Sequence, residues 1–328
     1  MPNYWSRRQA LYGGLAVAGA SAAGPAQAAV WPSRQVRIIC AYPPGGITDL
    51  YARAYGQYIS ETTSQNVIVE NKTGGGGAIA AQALKSAAAD GHTLMITIST
   101  TLLGNRVIYK NLPYDADKDF AFLSLLSTGH LPLIVAKSIG VRTVAEFVDY
   151  ARKNKVNFGS YAAGSLAHII CAELNRLYKL DMAVVTYRGE VPMWQDLANG
   201  SLQAAVGSYQ AANAVLGGGA GVAIAVPTAK RMRKMPDVAT FSEQGITGQA
   251  FQLMSWVGFL GQAALPAETV DAISSLLVAA GKSERIQKLM DLFGVDDAAI
   301  DHAGFVRIYE SQGPIWIELV KGLGLTPE

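Results

Sequence analysis

Cysteine is nearly absent from this chain, with two residues in 328, and neither belongs to a Cys-x-x-Cys pair or stands at metal-ligand spacing from a histidine. That excludes a disulfide scaffold and leaves no motif for a structural metal. Cys40 falls in an apolar run and Cys171 in a helical stretch, so both read as core thiols. An excess of one charge is also missing. The 27 basic residues are matched by 25 acidic ones, the net charge is +2, and no Lys/Arg cluster is interleaved with aromatics. No nucleic-acid partner is expected from such a balance. Beyond the N-terminus no stretch holds the roughly 18 apolar residues of a membrane-spanning helix. What is present is a globular composition, 50% hydrophobic and 16% charged, in a chain long enough for two domains with separate cores.

The first 28 residues read as an export signal. Ser6-Arg7-Arg8-Gln9-Ala10-Leu11 carries a twin arginine, Leu11 to Ala23 is weakly apolar and too short to span a bilayer, and Ala26-Gln27-Ala28 is a small-x-small cleavage site. The arginine pair resembles the signal of the twin-arginine (Tat) route, with Ala10 where that pattern usually has Phe; the Sec route stays open as the alternative. Cleavage after Ala28 would leave a periplasmic protein of about 300 residues.

The mature chain is organised around Val36-Arg37-Ile38-Ile39-Cys40-Ala41-Tyr42-Pro43-Pro44-Gly45-Gly46-Ile47-Thr48-Asp49. A short apolar run predicts a buried strand, Pro-Pro-Gly-Gly stops it, and Thr48 or Asp49 is expected to cap a helix over Thr48 to Glu61. A strand, a tight loop and a helix N-terminus aim backbone N–H groups and the positive end of a helix dipole at one spot, where glycine lets an anion approach. Gly45 and Gly46 are therefore candidate ligand contacts, and both are expected to need φ > 0. An ordinary strand-to-helix turn would have the same sequence features.

The pattern recurs. Asn66 to Glu70 predicts a second strand, followed by Asn71-Lys72-Thr73-Gly74-Gly75-Gly76-Gly77 and the helix Ala78 to Ala89; Thr93 to Ile98 predicts a third strand, leading into Ser99-Thr100-Thr101. Neither glycine loop ends in Gly-Lys-Ser/Thr, and Gly-x-Gly-x-x-Gly does not fit with an acidic residue at the expected distance, so no nucleotide or other cofactor is expected. Ligands of open α/β sheets sit beyond the carboxyl ends of the strands, so Gly-Gly, poly-Gly and Ser/Thr should converge on one crevice.

Later segments repeat this logic. Leu131 to Ala136 predicts a strand, and Thr143 with Glu146 three residues on predicts a capping box. Asn157-Phe158-Gly159-Ser160-Tyr161-Ala162-Ala163-Gly164-Ser165-Leu166-Ala167-His168 is again a strand, a small-residue loop and a helix start. Met182 to Tyr187, Leu202 to Val206 and Val222 to Val226 add strands; Trp256 to Leu260 returns the chain, and helices over Ala267 to Phe293 and Ala303 to Lys321 close it.

This order of motifs resembles the Bug-type solute-binding receptors of tripartite tricarboxylate transporters, over almost all of the mature chain. The resemblance rests on Tyr42-Pro43-Pro44-Gly45-Gly46 with Asp49 and Ala52-Arg53, Val69-Glu70-Asn71-Lys72, Asp90-Gly91-His92-Thr93-Leu94, and Leu112-Pro113-Tyr114-Asp115. It continues through Gly164-Ser165 with His168, Tyr187-Arg188-Gly189 with Pro192, Asp196-Leu197, and Ala229-Lys230-Arg231 with Pro236-Asp237-Val238. It implies a type II periplasmic-binding-protein fold: two α/β domains, residues 29–127 plus 259–328 and residues 128–258, joined by two crossing strands and closing as a Venus flytrap. It also implies a small carboxylate ligand held largely by backbone N–H groups and waters, no chemistry on that ligand, a membrane permease as partner, and a monomer.

The departures from the family pattern bear on the ligand. Tyr161, Leu166 and Ala167 stand where the second-domain loop usually has serines, Gly207-Ser208 lacks an acid often found there, and Trp194 is bulkier than usual. That tilts the expected ligand toward an aromatic or other apolar body with at least one carboxylate, and away from an amino acid. The candidate binding residues are Tyr42, Gly45, Gly46, Thr48 and Asp49, then Gly76, Ser99 and Thr101, and from the second domain Ser160, Tyr161, Gly164, Ser165, Arg188, Trp194 and Ser208. Asp49 reads as a helix cap or water-holding residue, since a bare negative charge would repel an anion. His168 reads as a structural hydrogen-bonding residue.

Two other classes share features with this pattern. An exported α/β hydrolase would need a nucleophile elbow, but no Gly-x-Ser-x-Gly occurs and His92, His130, His168 and His302 form no evident triad. A periplasmic sensor feeding a membrane kinase would share the fold and site and differ in its partner.

Overall fold

The computed structural model describes residues 31–128 and 131–327. The export signal read over residues 1–28 lies outside the described residues. The chain begins β1 (Val36–Cys40), α1 (Ile47–Thr63), β2 (Val67–Asn71), α2 (Ala78–Lys85), β3 (Thr93–Ile98), the short helix α3 (Asn105–Ile108) and β4 (Phe120–Ser127). It goes on with β5 (Leu133–Ala136), α4 (Val144–Lys153), β6 (Asn157–Ser160), α5 (Leu166–Tyr178), β7 (Ala183–Thr186), α6 (Glu190–Ala198), β8 (Ala204–Val206), α7 (Tyr209–Gly217) and β9 (Gly221–Ala225). It ends with β10 (Trp256–Gln262), α8 (Ala267–Gly281), α9 (Glu284–Phe293) and α10 (His302–Lys321).

Two five-stranded sheets result, in the orders β2-β1-β3-β10-β4 and β7-β6-β8-β5-β9. In each, a βαβαβ unit supplies three parallel strands, β1 with β2 and β3 in one, β6 with β7 and β8 in the other; antiparallel strands complete it. Helices cover both faces, which is why β1 and β3 read as near-continuous apolar runs rather than alternating ones. The architecture is that of a two-domain Venus flytrap. The chain crosses from the first sheet to the second after β4 and returns at β10. These two strands pair antiparallel from Trp256↔Ser127 to Gln262↔Phe120, and the Thr128 N–H extends the ladder to Ser255 O at 3.0 Å.

Local signals account for most elements. Thr143 and Glu146 form the expected capping box at the start of α4. The stretch read as Ala267 to Phe293 is two helices that break at Lys282-Ser283, where Lys282 ends α8 and Ser283, with extended backbone, is the N-cap of α9. Cys40 and Cys171 are buried free thiols, as expected of core residues. A continuous apolar core runs through both sheets, from Ile39 and Leu102 to Phe158, Leu166 and Trp316.

Candidate functional site

The loop after β1 sets the geometry of the first wall. α1 is capped by Gly46, whose backbone is extended (φ −80°, ψ 172°), and no side chain bonds at that cap. This corrects the expectation that Thr48 or Asp49 caps the helix. The first four N–H groups of a helix lack intrahelical partners, so the amides from Gly46 to Asp49 face the loop with the dipole behind them. Asp49 is in the first turn and does something else: its carboxylate accepts the Gly45 N–H at 2.9 Å, the Arg53 guanidinium at 3.1 and 2.9 Å, and Asn71 Nδ2 at 2.9 Å. Burial alone would raise the Asp49 pKa, but Arg53, Gly45 and Asn71 outweigh it and hold the carboxyl below the usual carboxylate range. Its charge is therefore neutralised in place, and the repulsion an anion would meet is removed. Gly45 is in the left-handed region (φ +83°), as expected, whereas Gly46 is not.

The second and third loops of this sheet lock together. The Gly76 carbonyl accepts Thr101 Oγ1 at 2.8 Å, Asn105 Nδ2 at 3.1 Å and Tyr42 OH at 3.3 Å, and Tyr42 OH also lies 3.0 Å from Thr101 Oγ1. Gly76 is exposed with φ +59°, and a Cβ there would sit 2.7 Å from Asn105 Oδ1. Ser99, Thr101 and Thr48 are buried. Thr48 hydrogen-bonds Cys40, so this side chain serves the core under the loop.

The opposing wall repeats the arrangement after β6. Ser165 caps α5, Gly164 takes φ +64°, and the Gly164 N–H points at His168 Nδ1 at 3.4 Å, with burial lowering the His168 pKa. A neutral, structural His168 follows. Ser160 and Ser165 are fully buried and bond each other at 3.0 Å, and Ser160 Oγ also donates to Ala162 O at 2.8 Å. What they offer a ligand is loop shape, since the Ser165 N–H itself bonds Ala162 O at 3.3 Å. Tyr161 keeps part of its surface open; its hydroxyl bonds Ser165 and Ser255, and burial, then the charge of Glu190, push its phenol pKa up.

Several expectations about the second wall change. Leu166 and Ala167 are buried in the core, so of the three replaced serines only Tyr161 is left on the wall. Trp194 is also buried, packed so close to Gly207 that a Cβ there would meet its ring at 2.8 Å. Arg188 is exposed. The acid missing from Gly207-Ser208 comes instead from α6. Glu190 Oε2 accepts the Ser208 N–H at 2.9 Å, Ser208 Oγ at 2.7 Å and Trp194 Nε1 at 3.2 Å. Burial raises the Glu190 pKa, and those donors pull it part of the way back.

The structure thus brings Tyr42, Gly45, Gly46 and Gly76 to the carboxyl edge of the first sheet and Tyr161, Gly164, Ser165 and Ser208 to that of the second. The two edges meet: a Cβ on Gly164 would lie 2.7 Å from Ile108, and one on Gly104 would lie 3.6 Å from Gly164 O. Sequence reading passed over Asn71, Asn105 and Glu190. The i, i+4 pair Asp49/Arg53 and the acid directly after Gly189 at a helix start were the signals available. A surface depression of about 380 Å³, lined by Tyr209, Asn213, Lys234, Lys288 and Asp291 among others, contains neither glycine loop. It lies beside ion pairs joining the two lobes. Among the described residues no cluster of His, Cys, Asp and Glu is suited to a metal, and no helix is long and apolar enough to cross a membrane.

Comparison with known proteins agrees with this architecture. Residues 51–325 match the model of the tripartite tricarboxylate transporter family receptor. An adipate-bound protein of R. palustris superposes with a TM-score of 0.82 at 28% identity, covering 91% of this chain and 100% of that one. MatC of Rhodopseudomonas palustris with bound malate gives 0.75 at 26% identity, covering 88% and 99%. BugT of Bordetella pertussis is 28% identical over 71% of this chain and 72% of its own. These are solute-binding proteins rather than enzymes, and with the match spanning nearly all of the described residues the chain belongs to the tripartite tricarboxylate transporter family of receptors.

Proposed function

We propose that this receptor works in the periplasm after its signal is removed, capturing a small carboxylate and delivering it to the membrane permease of a tripartite tricarboxylate-type transporter. The observation that carries the reading is the pair of opposed helix N-termini, α1 behind Gly45-Gly46 and α5 behind Gly164-Ser165. Each sets the positive end of a helix dipole behind its loop, worth about 0.3–1 kcal/mol toward an anion and up to about 2 where partly buried. Two relatives of the same fold hold dicarboxylates, adipate in one and malate in the other.

The ligand favoured is a carboxylate with an aromatic or other apolar body. Tyr42 and Tyr161 support it, one half-buried ring on each wall at the corresponding strand end. Their hydroxyls are occupied by Thr101 and by Ser165 and Ser255, which leaves the ring faces as what they offer. Thermal-shift screening of the mature protein against aromatic and aliphatic mono- and dicarboxylates tests this. A true ligand at 100 times its Kd adds about 2.7 kcal/mol of stability. Stabilisation by malate- or citrate-like acids alone would overturn the apolar-body preference, and stabilisation by no carboxylate would overturn the receptor's ligand class.

A further inference from the structure

We infer that Glu190 is a specificity-determining residue of the cleft, whose carboxylate takes a hydrogen-bond donor, hydroxyl or ammonium, on the captured acid. The inference rests on the carboxylate-capture reading above and adds a second functional group to the ligand.

Glu190 is the first residue of α6, directly beyond the carboxyl end of β7. β7 is the outermost strand of its sheet, with β6, which ends at Tyr161, next to it and β8, which leads to Ser208, one strand further in. The Glu190 carboxylate reaches Ser208, so it lies along the carboxyl edge where ligands of such sheets sit. Its carboxylate is held in one orientation, because Ser208 N–H, Ser208 Oγ and Trp194 Nε1 all converge on Oε2, at 2.9, 2.7 and 3.2 Å. Gly207 makes room for that oxygen: a Cβ there would come within 3.1 Å of Oε2. None of the three donors reaches Oε1. Among the described residues no Lys, Arg or His forms an ion pair with Glu190, and Arg188, two residues away, is exposed.

The side chain is surrounded by protein yet keeps part of its surface open, as a group in a cleft wall does. A carboxylate taken out of water without a cation is costly unless its oxygens are satisfied. The helix N-terminus and three donors offset that cost at Oε2. Among the described residues the other oxygen has no donor. A carboxylate oxygen accepts and, when ionised, cannot donate, so the partner that completes it is a hydroxyl or an ammonium. A second carboxylate of the ligand at this place would meet repulsion. The walls then divide the work: the N-termini of α1 and α5 take the anionic end, Tyr42 and Tyr161 flank the body, and Glu190 reads the donor.

Titration calorimetry on two matched series tests the assignment: 3-phenylpropanoate, 3-phenyllactate and phenylalanine, with the donor beside the carboxylate; and hexanoate, 6-hydroxyhexanoate and 6-aminohexanoate, with the donor at the far end. In the wild type a donor-bearing member of at least one series should bind about tenfold or more tighter than its donor-free parent, the size of a hydrogen bond to a charged group. The hydroxyl and ammonium arms identify which donor is preferred. Glu190→Ala should bring that ratio to near one, whatever it does to the affinity of the donor-free parent. Glu190→Gln keeps the shape and an acceptor, so it should remove an ammonium preference and retain part of a hydroxyl one, which keeps the test usable if the alanine variant folds poorly. An unchanged ratio in both variants, or no donor preference in either series, would overturn the role of Glu190. Binding of none of the six acids would overturn this inference alone if the thermal-shift screen finds a dicarboxylate ligand, and carboxylate capture with it if that screen finds no carboxylate at all.

Discussion

Asp49 accepts the backbone N–H of Gly45 at 2.9 Å across the turn that opens α1, and so spends its charge on shaping the loop rather than on a ligand. Arg53, one helical turn on, and Asn71, at the end of β2, complete the same carboxylate. Asp49→Ala would leave the Gly45 N–H and the Asn71 amide without their acceptor, and should cost about 1–3 kcal/mol of stability. Because the folded Asp49 pKa lies below its unfolded value, this contribution is complete above the ordinary carboxylate range and disappears as pH falls through the folded pKa. Thermal unfolding should therefore show a constant gap between wild type and variant from about pH 8 to pH 5, closing below about pH 4. A gap that persists in acid would mean that the carboxylate is not what holds the loop.

The two glycines of this loop should separate stability from binding. Gly45 takes φ +83° with open space where a Cβ would go, so Gly45→Ala carries only the left-handed backbone penalty, roughly 1–2 kcal/mol. Gly46 takes φ −80°, and its nearest neighbour, Pro43 O, would be 3.6 Å from an added Cβ. Gly46→Val should melt within about 0.5 kcal/mol of wild type. It should nonetheless abolish carboxylate binding by placing an isopropyl group over the α1 amides. Calorimetry and thermal melts on the two variants check both halves.

How much of this was legible in the sequence follows the range of the interactions. The strand, loop and helix order was readable because apolar runs, Pro-Pro-Gly-Gly and the Thr143/Glu146 box are local signals, each complete within a few residues. The left-handed Gly45 was readable for the same reason. The cap was not. Asp49 is a good N-cap residue by type, but it stands in the first turn of α1, where Arg53 one turn on and the distant Asn71 share its carboxylate with the Gly45 N–H. The character of the second wall was misjudged where burial decides it: Leu166 and Ala167 look like wall residues by position but are buried in the first turn of α5. Glu190 was invisible as the partner of Ser208 because 18 residues and one helix separate them.

Export can be examined without the ligand. If Arg7-Arg8 is read as a twin-arginine address, changing the pair to Lys-Lys should stop the protein from reaching the periplasm, since that route recognises the arginines themselves. Cell fractionation with an antibody to the mature chain would show precursor held in the cytoplasm. Undiminished periplasmic protein would assign the signal to the Sec route.

The last prediction concerns how the lobes are held. Lys234 and Arg233 lie between β9 and β10, while Asp291 and Asp296 lie beyond β10, on or just after α9. Lys234 Nζ meets Asp291 Oδ2 at 2.7 Å, and Arg233 gives its backbone N–H and its Nε to Asp296 at 3.0 and 3.1 Å. These pairs bridge the two sheets on the side where Gly294 abuts Met232 and Tyr209. Each pair has one largely exposed and one partly exposed member, so each is worth at most about 1 kcal/mol and is screened by salt. A ligand gripping both walls binds more tightly to whichever arrangement brings them together, and anything that favours that arrangement raises apparent affinity. Asp291→Asn with Asp296→Asn should therefore weaken carboxylate binding by up to about tenfold at low ionic strength. The deficit should vanish toward 1 M salt, where the screening length falls to about 3 Å. Small-angle scattering of the ligand-free double variant should show a larger radius of gyration than wild type at low salt and the same one at high salt. Identical salt dependence in the two proteins would show that the pairs do not hold the lobes together.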